Sequence, residues 1–266
     1  MLIDTHCHLD FLDVPEITGG IAGALQRSGQ AGVRAIVVPA VAPENFERVE
    51  ALANAHPQVF FALGIHPIYV DRLGDSALDD LHNALHRNRH NPRLVAVGEI
   101  GLDHFVPHLD REKMERFYIA QLRLAQEFDL PVVLHIRKAQ DRILKFLRQI
   151  NITQGIAHAF NGSSVQAAAF VEQGLKLGFG GAMTYTRALQ IRRLAQELPS
   201  HAIVLETDSP DLAPAWKVKG ESNEPAETAH IAAHLAQLRG VSADQIIRQT
   251  GGNALSALPR LAASLR

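Results

Sequence analysis

Two imidazoles, His6 and His8, stand two residues apart in Thr5-His6-Cys7-His8, just after the short apolar run Leu2-Ile3-Asp4. Such a run reads as a strand, and alternate side chains of a strand share a face. His6 and His8 therefore project together while Cys7 points the other way. Two imidazoles on one face make half of a metal site; the competing reading is a histidine pair satisfied by local hydrogen bonds. The metal reading gains weight because further strand-like runs end in the same kinds of group. His66 precedes Pro67, Glu99 lies in Val97-Gly98-Glu99-Ile100-Gly101-Leu102-Asp103, and His135 lies in Leu134-His135-Ile136-Arg137. His158 lies in Ala157-His158-Ala159-Phe160, and Asp208 in Leu205-Glu206-Thr207-Asp208-Ser209-Pro210. His6, His8, His135 and His158 with Glu99 and Asp208 form the donor set of a zinc-like or mixed divalent site, enough for two ions. Glu99 has two oxygens with which to bridge them. Paired ions about 3.5–4 Å apart activate a water and stabilise both attacking and leaving oxygens.

The elements that must position these groups alternate from one end of the chain to the other. Strands are expected at Leu2–His6, Arg34–Val41, Val59–His66, Leu94–Gly101, Pro131–Ile136, Gly155–Phe160, Lys176–Gly181 and Ile203–Asp208. Helices are expected at Glu16–Ala31, Pro43–Ala55, Ser76–Arg89, Asp110–Phe128, Ala139–Gln149, Ser163–Gln173, Arg187–Leu198, Pro225–Leu238 and Ala243–Leu265. The helical period is clearest over Asp110–Phe128, through Met114, Phe117, Leu122 and Ala125. The strands are nearly continuous apolar runs, as expected of parallel strands covered by helices. Eight strand–helix units without a composition break predict an α/β fold, a single (β/α)8 TIM barrel, rather than the alternative of a doubly wound open sheet. In such a barrel catalytic groups sit at the C-terminal ends of the strands. Closure sets strand eight beside strand one, and Asp208 beside His6 and His8.

The chain has 266 residues, and a barrel of this type takes about 250, so residues 1–266 are expected to form one barrel. The formal net charge of −2 gives no global case for nucleic acid but leaves room for a local basic groove. Cys7 is the one cysteine; no intrachain disulfide is possible, in keeping with a reducing compartment. No signal peptide is recognised, and no run is long and apolar enough to span a membrane. The expected location is cytoplasmic, with no membrane partner.

Taken in order, His6-x-His8, Gly64-Ile65-His66-Pro67, Gly98-Glu99-Ile100-Gly101-Leu102-Asp103, Leu134-His135-Ile136-Arg137, His158-Ala159-Phe160 with Gly162, and Glu206-Thr207-Asp208-Ser209-Pro210 resemble the TatD family of metal-dependent deoxyribonucleases and hydrolases, within the amidohydrolase-like barrels. The resemblance covers nearly the whole chain. It implies that His6, His8 and Asp208 hold one divalent cation (Zn, Mg or Mn), that His135 and His158 hold a second, and that Glu99 bridges them. The expected substrate is DNA or a small phosphoester, cut by a monomer or weak homo-oligomer. The chain departs from the family pattern in three places. Ala159 replaces a customary cysteine, Ser222 replaces an arginine before Asn223-Glu224-Pro225, and Thr250-Gly251-Gly252-Asn253-Ala254 is one residue longer than usual. Asn223 is read as a substrate contact.

Around these ligands, His66 is expected to hydrogen-bond a phosphoryl oxygen or leaving group, and Arg137, two residues after His135, to clamp phosphate. For Arg137 the alternative is a salt bridge to a helix carboxylate. Asp208 is expected to bind an ion and to accept the proton of the attacking water. Glu206 and Asp103 are expected to orient ligands from behind. The glycines of Lys176–Gly181 either admit a phosphate or serve tight packing. His82, His86 and His90, and His230 with His234, lie at helical spacing without carboxylate partners and read as solvated faces. The function expected is a metal-dependent phosphodiesterase or deoxyribonuclease. Alternatives on the same barrel are an amide, ester or lactone hydrolase or a deaminase, many of which bridge their ions with a modified lysine from strand four; that strand carries none here. A non-catalytic metal-binding scaffold is the remote alternative.

Overall fold

The computed structural model describes residues 1–12, 19–218 and 220–265. Its strands are β1 (Leu2–Asp4), β2 (Val33–Pro39), β3 (Val59–Leu63), β4 (Leu94–Asp103), β5 (Val132–Arg137), β6 (Gly155–Ala157), β7 (Leu175–Phe179) and β8 (Ile203–Leu205). They pair in chain order, all parallel. The seam between β8 and β1 is held by Thr5, whose N–H and hydroxyl both donate to Leu205 O at 3.0 Å, and by the Asp208 N–H on His6 O at 2.8 Å. The fold is the expected (β/α)8 barrel.

The helices are α1 (Gly20–Gln30), α2 (Phe46–Ala55), α3 (Ser76–Arg87), α4 (Arg111–Glu127), α5 (Gln140–Ile150), α6 (Ser164–Glu172), α7 (Leu189–Glu197), α8 (Thr228–Arg239), α9 (Ala243–Ala257) and α10 (Pro259–Ser264). Several start where a short polar side chain satisfies an otherwise unpaired N–H. Asp110 accepts from Lys113 N, Ser163 from Gln166 N and Ser242 from Gln245 N. One apolar layer lies between strands and helices, with Ile36, Phe61, Leu134 and Leu205 meeting Phe117, Leu122, Leu147 and Phe170. A second fills the lumen, where Ile3, Val37, Phe60, Val133, Ile156 and Val204 join Ala254, Leu258 and Leu261. α9 and α10 thus plug the end at which the strands begin. Gly251 is required there, because a Cβ would lie 2.0 Å from Met1 O.

The structure corrects three boundaries. The helix expected over Ala243–Leu265 breaks at Leu258, because Pro259 lacks an N–H and crowds the preceding turn. Of the helix expected over Glu16–Ala31, residues 16–18 lie outside the described residues, and α1 starts at Gly20. The strands expected to run to His6, His66, Phe160 and Asp208 stop at Asp4, Leu63, Ala157 and Leu205. Of the candidate ligands, Glu99 and His135 lie within strands, Glu99 at the irregularity of β4 between Val97 and Ile100. Ala159 with φ 43° and Asp208 with φ 55° adopt left-handed backbone, which ends the pairing and turns the chain over the mouth.

Candidate metal centre

Glu99, buried on β4, stands between two sets of imidazoles. Its Oε2 lies 3.2 Å from His6 Nε2 and 3.4 Å from His8 Nε2. Its Oε1 lies 2.9 Å from His135 Nδ1, 3.4 Å from His66 Nε2 and 3.5 Å from His158 Nε2. Asp208 Oδ1 completes the first set at 3.5 Å from His6 Nε2 and 3.7 Å from His8 Nε2. Three groups have donor atoms close enough to share an ion: His6 with His8 and Asp208, His6 with Glu99 and His158, and His66 with Glu99 and His135. All of these residues but the deeper His6 line a cleft of about 210 Å³ that also holds Phe11, Val41, Ile68, Tyr69 and Asp211.

The chemistry of this set fits bound cations. His6 and His8 point their Nε2 atoms at each other across 3.3 Å. Burial and the neighbouring His158 push the pKa of His6 well below its usual range, so a second proton on its ring is disfavoured and its Nε2 lone pair is left to accept from His8 or to hold a cation. Burial opposes a charge on Glu99, but His66, His6 and His158 outweigh it and hold the carboxyl well below its usual range. Burial also opposes a charge on His158, yet Asp208, Glu206 and Glu99 raise its pKa to about 10. Burial raises Asp208 to about 6 against the pull of His158 and His8. The cleft sets the carboxylates of Glu99 and Asp208 among buried imidazoles, a donor set that suits divalent cations.

The far nitrogens are held from outside. His135 Nε2 lies 3.1 Å from Asp103 Oδ2, leaving Nδ1 to face Glu99, the arrangement in which an outer carboxylate fixes the tautomer of a ligand histidine. Burial works against the Asp103 charge, but the bonds from His135, Val106 and Phe105 keep its pKa at about 2. His158 Nδ1 lies 3.5 Å from Glu206 Oε1, which also accepts the Ala159 N–H at 2.6 Å. His66 differs. Its Nδ1 accepts the Ile68 N–H at 3.2 Å, so the neutral ring carries its proton on Nε2 and donates into the cleft. Burial lowers its pKa to about 4, which keeps it neutral. Gln121 of α4 steadies the loop before it, accepting the Ile65 N–H at 2.6 Å and donating to Ile65 O at 3.1 Å.

A family profile described as TatD related DNase matches residues 3–259. The chain belongs to the TatD family. It is similar to the metal-dependent hydrolase YjjV of Escherichia coli K12, 42% identical over 245 residues and covering 92% of each chain. It is similar to the human deoxyribonuclease TATDN3, 32% identical over 272 residues and covering 98% of this chain and 95% of the human one. The crystal structure of the E. coli TatD homologue YjjV superposes with a TM-score of 0.90 at 40% identity, over 97% of this chain and 98% of that one. The protein is therefore a metal-dependent hydrolase of the TatD family.

Most residues singled out in this TatD sequence meet at one mouth, and some take other places. Asn223 corrects the expectation of a substrate contact: it is fully buried, and its amide donates to Thr207 O at 2.7 Å and to Asp211 O at 2.8 Å. Its Oδ1 accepts the Glu224 N–H at 3.0 Å, so it pins the loop after β8 and leaves nothing for a ligand. Among the described residues the Arg137 guanidinium meets no helix carboxylate, and it lies 3.9 Å from Asp103 Oδ2. The glycines of β7 and of the turn after it serve packing, since a Cβ on Gly178 would lie 2.1 Å from Glu206 Oε2 and one on Gly181 2.0 Å from Leu212 O. Two of the remote histidines do have carboxylate neighbours, contrary to expectation. His82 meets Glu127 at 3.1 Å and His230 meets Glu227 at 3.0 Å; among the described residues neither set gathers a third donor. Asp4 escaped the sequence reading. It is fully buried and accepts the His6 N–H at 3.3 Å, the Thr207 N–H at 3.0 Å and the Thr207 hydroxyl at 2.6 Å, tying the two chain ends that carry His6 and Asp208. A carboxylate in an otherwise apolar run, two residues before His6, was the signal.

Proposed function

We propose that this protein is a two-metal phosphodiesterase acting on DNA. The observation that carries the reading is the split of Glu99, one oxygen toward His6 and His8 and the other toward His135, His66 and His158. In this reading His6, His8 and Asp208 would hold one ion and His135 and His158 the other, with Glu99 placed to serve both. Asp103 and Glu206 keep His135 and His158 in the ligating tautomer. Divalent ions held there supply Lewis acidity, lowering the pKa of a water to ~7 and offsetting phosphoryl charge.

The chain's own groups do the rest. Asp208 takes up the proton of the attacking water, since Glu99 is committed between the two sets of imidazoles and Glu206 lies behind His158. The His66 Nε2–H donates to a phosphoryl or leaving-group oxygen. Arg137, beyond Asp103 on the rim, is half-exposed and binds substrate phosphate. The family description and the human relative's name both favour DNA as substrate.

The test is elemental analysis combined with a substrate panel. The purified protein should carry close to two divalent ions per chain and cut a phosphodiester. His6→Ala with His8→Ala should remove about one ion, with circular dichroism unchanged. Full metal content in that double variant would refute the ligand assignment. Turnover of amides or lactones but of no phosphodiester would refute the substrate class.

A further inference from the structure

Gln121 is an amide at a position where the period of α4 calls for an apolar side chain. It stands with Met114, Phe117, Tyr118, Leu122 and Ala125 on the buried face of that helix and is 1% exposed. Burying an amide costs free energy unless its groups are paired. Both are paired, and on one residue. Its Oε1 accepts the Ile65 N–H at 2.6 Å and its Nε2 donates to Ile65 O at 3.1 Å.

This pairing fills a gap in the sheet. β3 pairs with β4 as far as Leu63 opposite Val97, and β4 is irregular between Val97 and Ile100. The Glu99 N–H turns instead to Ala40 O, just after β2, at 3.0 Å. Ile65 lies two residues beyond β3 and is fully buried, and buried backbone groups require partners. Among the described residues its N–H and C=O meet the Gln121 amide and no backbone group. The amide offers one donor and one acceptor, as the peptide of a neighbouring strand would.

The next residue is His66. Its N–H donates to Val41 O at 2.8 Å, its C=O accepts the Tyr69 N–H at 3.0 Å, and its Nδ1 accepts the Ile68 N–H at 3.2 Å. Those partners are all backbone groups. Gln121 is the side chain that joins this stretch to a helix. The His66 Nε2 so placed lies 3.0 Å from His135 Nδ1 and 3.4 Å from Glu99 Oε1.

We infer that Gln121 is a positioning residue: by completing the sheet at Ile65 it sets where the His66 ring stands in the cleft. Its effect on turnover rests on the reading of His66 as a donor to the phosphoryl or leaving-group oxygen. Gln121 does not line the cleft, so its influence on the reaction passes through His66. A misplacement of about 1 Å in a reacting group can cost about 10²-fold in rate.

The experiment compares wild type, Gln121→Met, Gln121→Glu, His66→Ala and the double variant Gln121→Met/His66→Ala. Metal content, kcat and KM on bis(p-nitrophenyl) phosphate, and the ring-nitrogen NMR signals of isotope-labelled histidines in zinc-loaded protein are measured. Gln121→Met should lower kcat by about 10–10²-fold, with KM and metal content at wild type. It should also shift or broaden the His66 ring signals while those of His230, on α8, stay in place. In the His66→Ala background the same change should alter kcat by no more than about twofold, since the two residues act as one unit. Gln121→Glu keeps an oxygen for the Ile65 N–H and loses the amide donor; it should shift the same signals and lose less rate, and it decides the question if Gln121→Met does not fold. His66 signals at their wild-type positions, losses that multiply in the double variant, or metal lost in step with kcat would overturn the assignment. His66 signals that move in the Gln121 variants, in a protein whose kcat is untouched by His66→Ala, would uphold the positioning role and refute the donor reading.

Discussion

The two ends of the barrel lumen are made from the same strands by opposite choices. Where the strands begin, Val133, Ile156 and Val204 point inward and pack against Ala254, Leu258 and Leu261. Two residues further on, the same inward face carries His135 on β5, His158 after β6 and Glu206 after β8, by simple alternation. At the apolar end the polar contacts come from helix and loop side chains reaching across. Asn253 donates to Ser200 O and Ile203 O, Gln154 to Ser256 O, and Ser264 to Pro92 O. At the other end, Nδ1 of His6 and of His8 is buried without a hydrogen-bond partner, and Nδ1 of His158 has only Glu206 Oε1 at 3.5 Å. Each large side chain buried in the plug stabilises the fold by ~1.5–3 kcal/mol, whereas buried polar groups without partners cost free energy. The plug makes the barrel stable, and that stability tolerates an unfavourable cluster of ligands at the mouth.

If this division is right, damage at one end should leave the other intact. The largest effect is expected for Asp208→Asn, which keeps the shape and a coordinating oxygen but loses basicity. At saturating metal, kcat on a phosphodiester should fall by about 10²–10⁴, with no loss of thermal stability. Recovery of the wild-type kcat at high metal would place the base elsewhere. Leu258→Ala should do the reverse, costing about 2–5 kcal/mol in urea unfolding while metal stoichiometry and turnover per folded molecule stay at wild type. Metal loss in step with stability would show that the ends are coupled. Arg137→Ala sharpens the boundary of the mouth. It should reduce kcat/KM for phosphodiesters about tenfold, the loss of a charge-assisted contact, with metal content unchanged. Lys should restore it only in part, because it cannot make a two-pronged contact; kinetics untouched on every phosphoester would make Arg137 structural. The smallest effect is expected for His82→Ala on the outer face, where an exposed pair with Glu127 is worth at most about 1 kcal/mol. Its metal content and turnover should match wild type.

The barrel was legible because its signal is repeated. Eight apolar runs separated by amphipathic helices leave few other topologies, and six of the eight strand ends announced a histidine or carboxylate locally. The element ends were less legible, since a strand stops where pairing fails, and pairing depends on the neighbouring strand. His66 shows the limit for chemistry. Its position at a strand end was evident, but its role as a donor follows from the Ile68 N–H on its Nδ1, a contact set by the turn that follows. Asn223 shows the opposite error, a polar residue beside a motif that is used wholly inside a loop.

By itself the sequence determined the α/β class, the order of the strands and the types of group brought to one end, because periodicity and residue chemistry are properties of short stretches. The tertiary structure decided which oxygen of Glu99 faces which imidazoles, that His66 turns its Nε2 to the cleft, and that Arg137 and Lys138 share the Phe105 ring. Those outcomes depend on distances of a few ångströms between side chains far apart in sequence, and only closure of the barrel sets such distances.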